Sequence, residues 1–305
     1  MLGRATFESV FPVSLSVVPL FVMMGVFAAH GGLSRSLYDL VVAMIGHYRG
    51  GLAMATVGAS AIFGAVCGSS IATAATIGKI AMPEMRRLGY DDRLSSAAVA
   101  AGGTLGVMIP PSILFVIYGL LTQNDIGVLF IAGIGPGILG MLLYMGAVAW
   151  MTRGNAKLGP GAARIGWADR VRAAARVWAV VILFAVVLGG MYAGLFTPTE
   201  AASVGAFGAV VLTAVSGRLS RGVVRAAFVE TATTSAMIFT ILIGATIFNY
   251  FIDASGLTQS MIAAVEAAGL GKYGTFLALC VFYIILGCVM DSLSMILLTI
   301  GAVYP

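Results

Sequence analysis

The sequence predicts an all-α polytopic membrane protein with two related halves, and three observations predict it. Apolar residues fill 60% of the 305 positions and charged residues only 10%, against about a quarter charged in an average soluble domain. So few charges cannot coat a soluble fold of this size, and lipid must supply part of the solvent. Val128 to Trp150, Trp178 to Leu195 and Thr231 to Ile252 each run 18 to 23 residues without a formal charge, and a bilayer-spanning helix needs about 20. Runs of this length without alternation are helices and not barrel strands. Finally, two other apolar stretches have small polar residues at their middles and match one another in order.

Taken along the chain, crossing helices are expected at about Ser9 to His30, Leu94 to Thr122, Val128 to Trp150, Val177 to Leu195, Thr199 to Ser216 and Thr231 to Ile252. No short apolar core followed by a small-residue cleavage site marks a signal peptide. Positions 1–150 form a first repeat, 151–176 a basic loop and 177–305 a second repeat. Fourteen of the Lys and Arg residues fall on one side of this topology: Arg35, Arg49, Arg86, Arg87, Arg93, six between Arg153 and Arg176, and Arg218, Arg221 and Arg225. The other side receives Arg4 and Lys272. By the positive-inside rule the basic side is cytoplasmic. The net charge of +5 reflects those loops and does not indicate nucleic acid. Cys67, Cys280 and Cys288 lie in apolar segments without metal-binding spacing and read as small buried side chains.

Basic segments flank Gly50 to Pro83 on both sides, so the chain crosses an even number of times between them. Each half is about 15 residues, short for a span. A hairpin over 50–83 that dips in from the cytoplasm is therefore expected, with its tip at Gly68 to Ser70. The helix over 94–122 is interrupted by a run from Gly102 to Ser112 that includes Pro110 and Pro111. Two prolines cannot continue a regular helix, so this is a broken helix. Thr197, Pro198 and Glu200 read as a capping box opening the helix expected at Thr199 to Ser216.

The second odd stretch, 273–305, repeats the first at a shift of 223 positions. Gly64, Val66, Ser69, Thr76, Ile77 and Gly78 fall on Gly287, Val289, Ser292, Thr299, Ile300 and Gly301. The topology gives the two copies opposite orientations, and inverted repeats with broken helices are a mark of secondary transporters. Gly68, Ser69 and Ser70 could supply hydroxyls, carbonyls and half-helix amides to an ion or a carboxylate, or serve only as small packing residues. Asp291 is a carboxylate deep in an apolar stretch, which is either functional or a cap on the helix that follows.

Five motifs together resemble one family, the large membrane subunit of tripartite ATP-independent periplasmic (TRAP) transporters: GAVCGSSIATAATIG from Gly64, MPEMRRLGY from Met82, GGTLGVMIPPSI from Gly102, FTPTEAA from Phe196 and GCVMDSLSMILLT from Gly287. The resemblance implies an elevator-type transporter of the bacterial inner membrane. It implies uptake of an organic acid, a carboxylate such as a C4-dicarboxylate or a sugar acid. That solute would arrive from a periplasmic binding protein, be coupled to sodium with no other cofactor, and need a small membrane subunit as partner. It places substrate on Ser70, Thr73, Ser112 and Asp291, and sodium on Gly68, Ser69, Gly106, Pro110 and Ser292, partly through backbone carbonyls. Against the family pattern, the chain is expected to lack a first membrane segment and to stop inside the second hairpin. An intramembrane protease is disfavoured: Asp291 has no second carboxylate nearby, Ser69 and Ser70 have no general base, and no HExxH run occurs. A related symporter or antiporter that uses no binding protein and couples protons through Asp291 is the alternative.

Overall fold

A computed structural model describes residues 13–303, apart from 156, 257, 261, 262, 264–266, 268 and 270. The start of the first expected helix, Ser9 to Pro12, lies outside the described residues. Helices, turns and irregular links make up everything described, with no strand among these residues. Three helices are long and apolar enough to cross a membrane, and up to five if each of two bent pairs counts as one span. Their flanks carry exposed Leu139, Leu142, Leu143, Val181, Ile182 and Phe207, the surface of a protein solvated by lipid.

The first hairpin is built from α3 (Gly51–Cys67) and α4 (Ser70–Arg87). Helix α3 is buried at every position except Ile62. It touches α1 (Val17–His30), α2 (Leu33–Ile45), α4, α5 (Asp92–Thr104) and α7 (Ile126–Gly154). Its sequence, rich in Gly, Ala, Ser and Thr, permits this, because small residues let helix backbones approach closely. A Cβ on Gly64 would lie 2.4 Å from the Gly106 Cα, and one on Gly25 of α1 would lie 2.7 Å from the Cys67 Cα. The two ends of the hairpin meet: the Tyr90 hydroxyl accepts the Leu52 N–H at 3.0 Å.

Three features depart from the sequence expectation. The segment between the first helix and the hairpin contains α2, bent 64° from α1 across Gly31 and Gly32. Its apolar Leu33, Leu37 and Tyr38 are buried while Arg35 and Asp39 face outward. The basic loop 151–176 is not merely a tether. Gly159 accepts the Gly50 N–H at 2.8 Å, Leu158 accepts the Asp91 N–H at 3.1 Å, and the Ala162 N–H reaches Gly46 at 2.9 Å. It thus straps the base of the hairpin, and it ends in a short helix, α8 (Trp167–Ala175), packed on α2. The span expected at Val177 to Leu195 is the shorter α9 (Trp178–Tyr192), bent 45° from α8.

The second half opens with α10 (Pro198–Val215), started by the expected capping box between Thr197 and Glu200. Helix α10 packs along α1, and the Thr213 hydroxyl donates to the Phe27 carbonyl at 3.0 Å. Helix α11 (Arg221–Ala254) lies against α1 and against α13 (Ser292–Val303). Helix α12 (Gly271–Gly287) and α13 form a second helix–break–helix unit.

The Gly64–Gly106 crossing has a direct test. Gly64→Ala should overpack it and cost about 1–3 kcal/mol, lowering the unfolding midpoint of the detergent-purified protein. Gly146→Ala in α7, where an added Cβ meets nothing within 4 Å, should leave the midpoint unchanged or raise it, since Ala favours helix over Gly by about 1 kcal/mol.

Candidate functional site

The tip of the first hairpin is a two-residue break. Gly68 sits at φ +65°, a left-handed conformation natural to glycine, and its N–H closes α3 on the Gly64 carbonyl at 2.6 Å. Ser69 is extended, and its hydroxyl accepts the Ala72 N–H at 3.4 Å, starting α4. The tip presses on the broken helix: a Cβ on Gly68 would meet the Ile113 nitrogen at 3.2 Å and the Pro111 carbonyl at 3.3 Å.

The broken helix is α5, one 3-10 turn over Leu105–Val107, an irregular link through Met108 to Ser112, and α6 (Ile113–Thr122). The Pro110–Pro111 peptide in that link is cis. Ser112 is fully buried, and its hydroxyl donates to the Val107 carbonyl at 2.7 Å, so the side chain spans the gap the prolines create. Gly106 lies behind the tip, where a Cβ would meet the Thr73 hydroxyl at 2.6 Å and the Ser69 carbonyl at 2.9 Å. Thr73 is completely buried, and its hydroxyl has no hydrogen-bond partner among the described residues.

At the second break, Asp291 accepts the Leu293 N–H at 3.1 Å and so caps α13. Of the two readings of this residue, the capping one is observed. Asp291 itself is exposed, and α12 beside it has no buried residue.

One small cavity, about 50 Å³, joins the pieces. It is lined by Gly68, Ser69 and Ser70 of the first tip, by Ile113 and Leu114 at the start of α6, and by Asp291 and Leu293 of the second tip. Three helices, α4, α6 and α13, therefore begin at one point. Helix N-termini carry unpaired amides and a partial positive charge, which favours an anion, while serine hydroxyls and the Asp291 carboxylate offer oxygen to a cation. Water occupies about 30 Å³ in the liquid, so the space suits an ion or one small group. Of the expected site residues, the cavity gathers Gly68, Ser69, Ser70 and Asp291. Thr73, Gly106, Pro110, Ser112 and Ser292 do not line it; the first two and Ser112 support the tip and the break from behind. Sequence reasoning missed Thr234, Met237 and Ile238 of α11, which also line it. The signal was the hydroxyl-rich run from Thr231 to Ser235, whose Thr231 and Ser235 join Ile238, Leu242 and Ala245 in a buried stripe at helical spacing.

The DctM component of the tripartite ATP-independent periplasmic transporters matches residues 2–305. The chain belongs to that family. It is 35% identical to the isethionate TRAP transporter permease protein DctMQ of Oleidesulfovibrio alaskensis over 99% of this chain and 48% of that protein. It is 34% identical to the C4-dicarboxylate TRAP transporter large permease protein DctM of Pseudomonas aeruginosa, over 98% of this chain and 70% of the relative. With the ectoine TRAP transporter large permease protein TeaC of Halomonas elongata the identity is 33%, over 94% and 67%. The chain thus spans about half to two thirds of the relatives it matches. These relatives are named as transport permeases and not as enzymes, in line with the sequence reading.

Ser112 gives the site a stability test. Ser112→Ala leaves the Val107 carbonyl without its buried donor, and a buried unsatisfied group costs about 1–3 kcal/mol. The variant should unfold earlier than the parent in a denaturant titration, whereas Ser96→Ala, an exposed hydroxyl on α5 bonded to its own helix, should not.

Proposed function

We propose that the chain is the permease part of a sodium-coupled importer of an organic acid, with the substrate carboxylate and the cation meeting at the cavity between the two helix breaks. The observation that carries this reading is the convergence of three helix starts with Ser69, Ser70 and Asp291 around one space. An anionic solute is favoured by the helix dipoles, and a small cation by the hydroxyl, carbonyl and carboxylate oxygens beside them. Relatives named for C4-dicarboxylate and isethionate transport support an acid as the solute class. The designation "large permease protein" supports a small membrane partner, and the family's description supports delivery by a periplasmic protein. The bacterial inner membrane is then the site of action, and the breaks at Gly68 and Asp291 are tips of re-entrant hairpins from opposite faces.

The test is initial uptake of labelled acid into proteoliposomes against sodium concentration, using the full-length permease with its small subunit and binding protein. Ser69→Ala should raise the half-saturating sodium concentration, and Asp291→Asn should shift sodium dependence strongly or abolish uptake. Sodium curves identical to the parent's for both variants would mean that the tips are packing elements. A second reading, proton coupling through Asp291 without a binding protein, would be established by uptake driven by a proton gradient alone and lost in Asp291→Asn.

The orientation has its own test. Tyr90 ties the exit of the hairpin to its entrance at Leu52, so cysteines at Arg49 and Arg86 should both react from the cytoplasm and neither from the periplasm. Periplasmic labelling of either one refutes the assigned orientation.

A further inference from the structure

Apart from the cavity, a groove of about 550 Å³ runs between α2, α3 and α9. Its walls are apolar side chains, among them Leu37, Leu40, Ile62, Val180, Phe184 and Leu188. On α9 the lining residues recur from Val177 to Gly189 at three- and four-residue steps, so one helix face borders it for about 18 Å at 1.5 Å per residue. Ile62 is the only exposed position on the otherwise buried α3, and it opens here. A dry, elongated trough on a lipid-facing surface has the shape of an acyl chain.

The groove has a charged mouth. Arg176 directly precedes Val177, the lining residue that caps α9, and Arg35 lies two residues before Leu37 and five before Leu40 on α2. Both guanidinium groups act on the Asp39 carboxylate, which places them at the same end. Neither is in an ion pair among the described residues, whereas Glu84, which also acts on Asp39, is paired with Arg87, so two positive charges outside any ion pair face the Asp39 carboxylate. Trp178, half exposed beside Arg176, marks the headgroup level, where tryptophan collects. The surroundings add to the positive field: burial and then Arg164 and Arg170 hold the pKa of His47, in the link after α2, below its ordinary value.

We infer that this groove is a binding site for an anionic phospholipid, its phosphate held by Arg35 and Arg176 and one acyl chain laid along α9 as far as Gly189. Such a lipid would tie the hairpin arm α3 to α9 at the cytoplasmic surface, with no part in the chemistry of the cavity.

The protein holds three tryptophans, Trp150, Trp167 and Trp178, so replacing the first two by Phe leaves a single reporter at the mouth. The purified protein is reconstituted in phosphatidylcholine vesicles. These contain a low mole fraction of either phosphatidylglycerol or phosphatidylcholine brominated on acyl carbons next to the headgroup, and Trp178 quenching is measured. Brominated phosphatidylglycerol should quench in marked excess over brominated phosphatidylcholine. Each arginine should account for about a fivefold enrichment, so Arg35→Gln and Arg176→Gln should each reduce the preference and together abolish it. Ala185→Phe, which narrows the trough without touching a charge, should lower quenching by the anionic lipid while circular dichroism shows the helices intact. Equal quenching by the two lipids in the parent, or a preference that survives the double arginine variant or the narrowed groove, overturns the assignment.

Discussion

A helix buried on nearly all of its surface must be met by other helices on every side, and each can come only as near as the side chains between them allow. In α3 those side chains are mostly Gly, Ala, Ser and Thr, so neighbouring backbones approach almost to contact, at Gly64 against Gly106 and at Cys67 against Gly25. Such packing supplies dispersion contact where lipid offers no hydrophobic drive between helices. It also fixes the rest. With α3 held, Gly68 is pressed against the start of α6, and α4 must begin where α6 begins. The position of the cavity therefore follows from a glycine contact one turn below it.

The breaks in the helices are held by local bonds, each visible as a pairing of a particular group. Gly68 closes α3, Ser69 opens α4, Ser112 donates back to Val107, and Asp291 opens α13. Broken helices expose backbone groups that lipid cannot satisfy, so each break needs a side chain to meet them. Three of the residues that close the chain on itself, Gly68, Ser69 and Asp291, also line the cavity. Ser69 and Asp291 thus bear on stability and on binding at once, which is why a variant at either must be tested for folding as well as transport.

Much of this was legible in the sequence because it rests on local rules. The break at Gly68 to Ser70, the interruption at Pro110 and Pro111, the Thr197–Glu200 cap and the repeat that located the second break all follow from residue types at short range. What was missed depends on distant partners. Helix α2 is short and amphipathic and buries Leu37 only because α3 lies beneath it. The strap at Leu158 to Ala162 is held by backbone bonds to Gly50, Asp91 and Gly46, and backbone bonds leave no trace in side-chain composition. Thr234 reaches the cavity because α11 packs on both α1 and α13, which no window along the chain reveals.

The charge balance at the cavity links the two halves of the proposed cycle. One capping oxygen of Asp291 is engaged by the Leu293 N–H, and the carboxylate lies beside the space the solute would enter. Two anions close together repel, by about 4 kcal/mol at 4 Å in the effective dielectric near a protein surface, and the three helix starts offset part of that. A cation resting on Asp291 and the Ser69 hydroxyl would remove the repulsion and leave the helix dipoles free to favour the solute. On this reading anion and cation each make the cavity better for the other. By linkage the gain in binding is reciprocal, so occupancy by the cation would favour occupancy by the acid and the reverse.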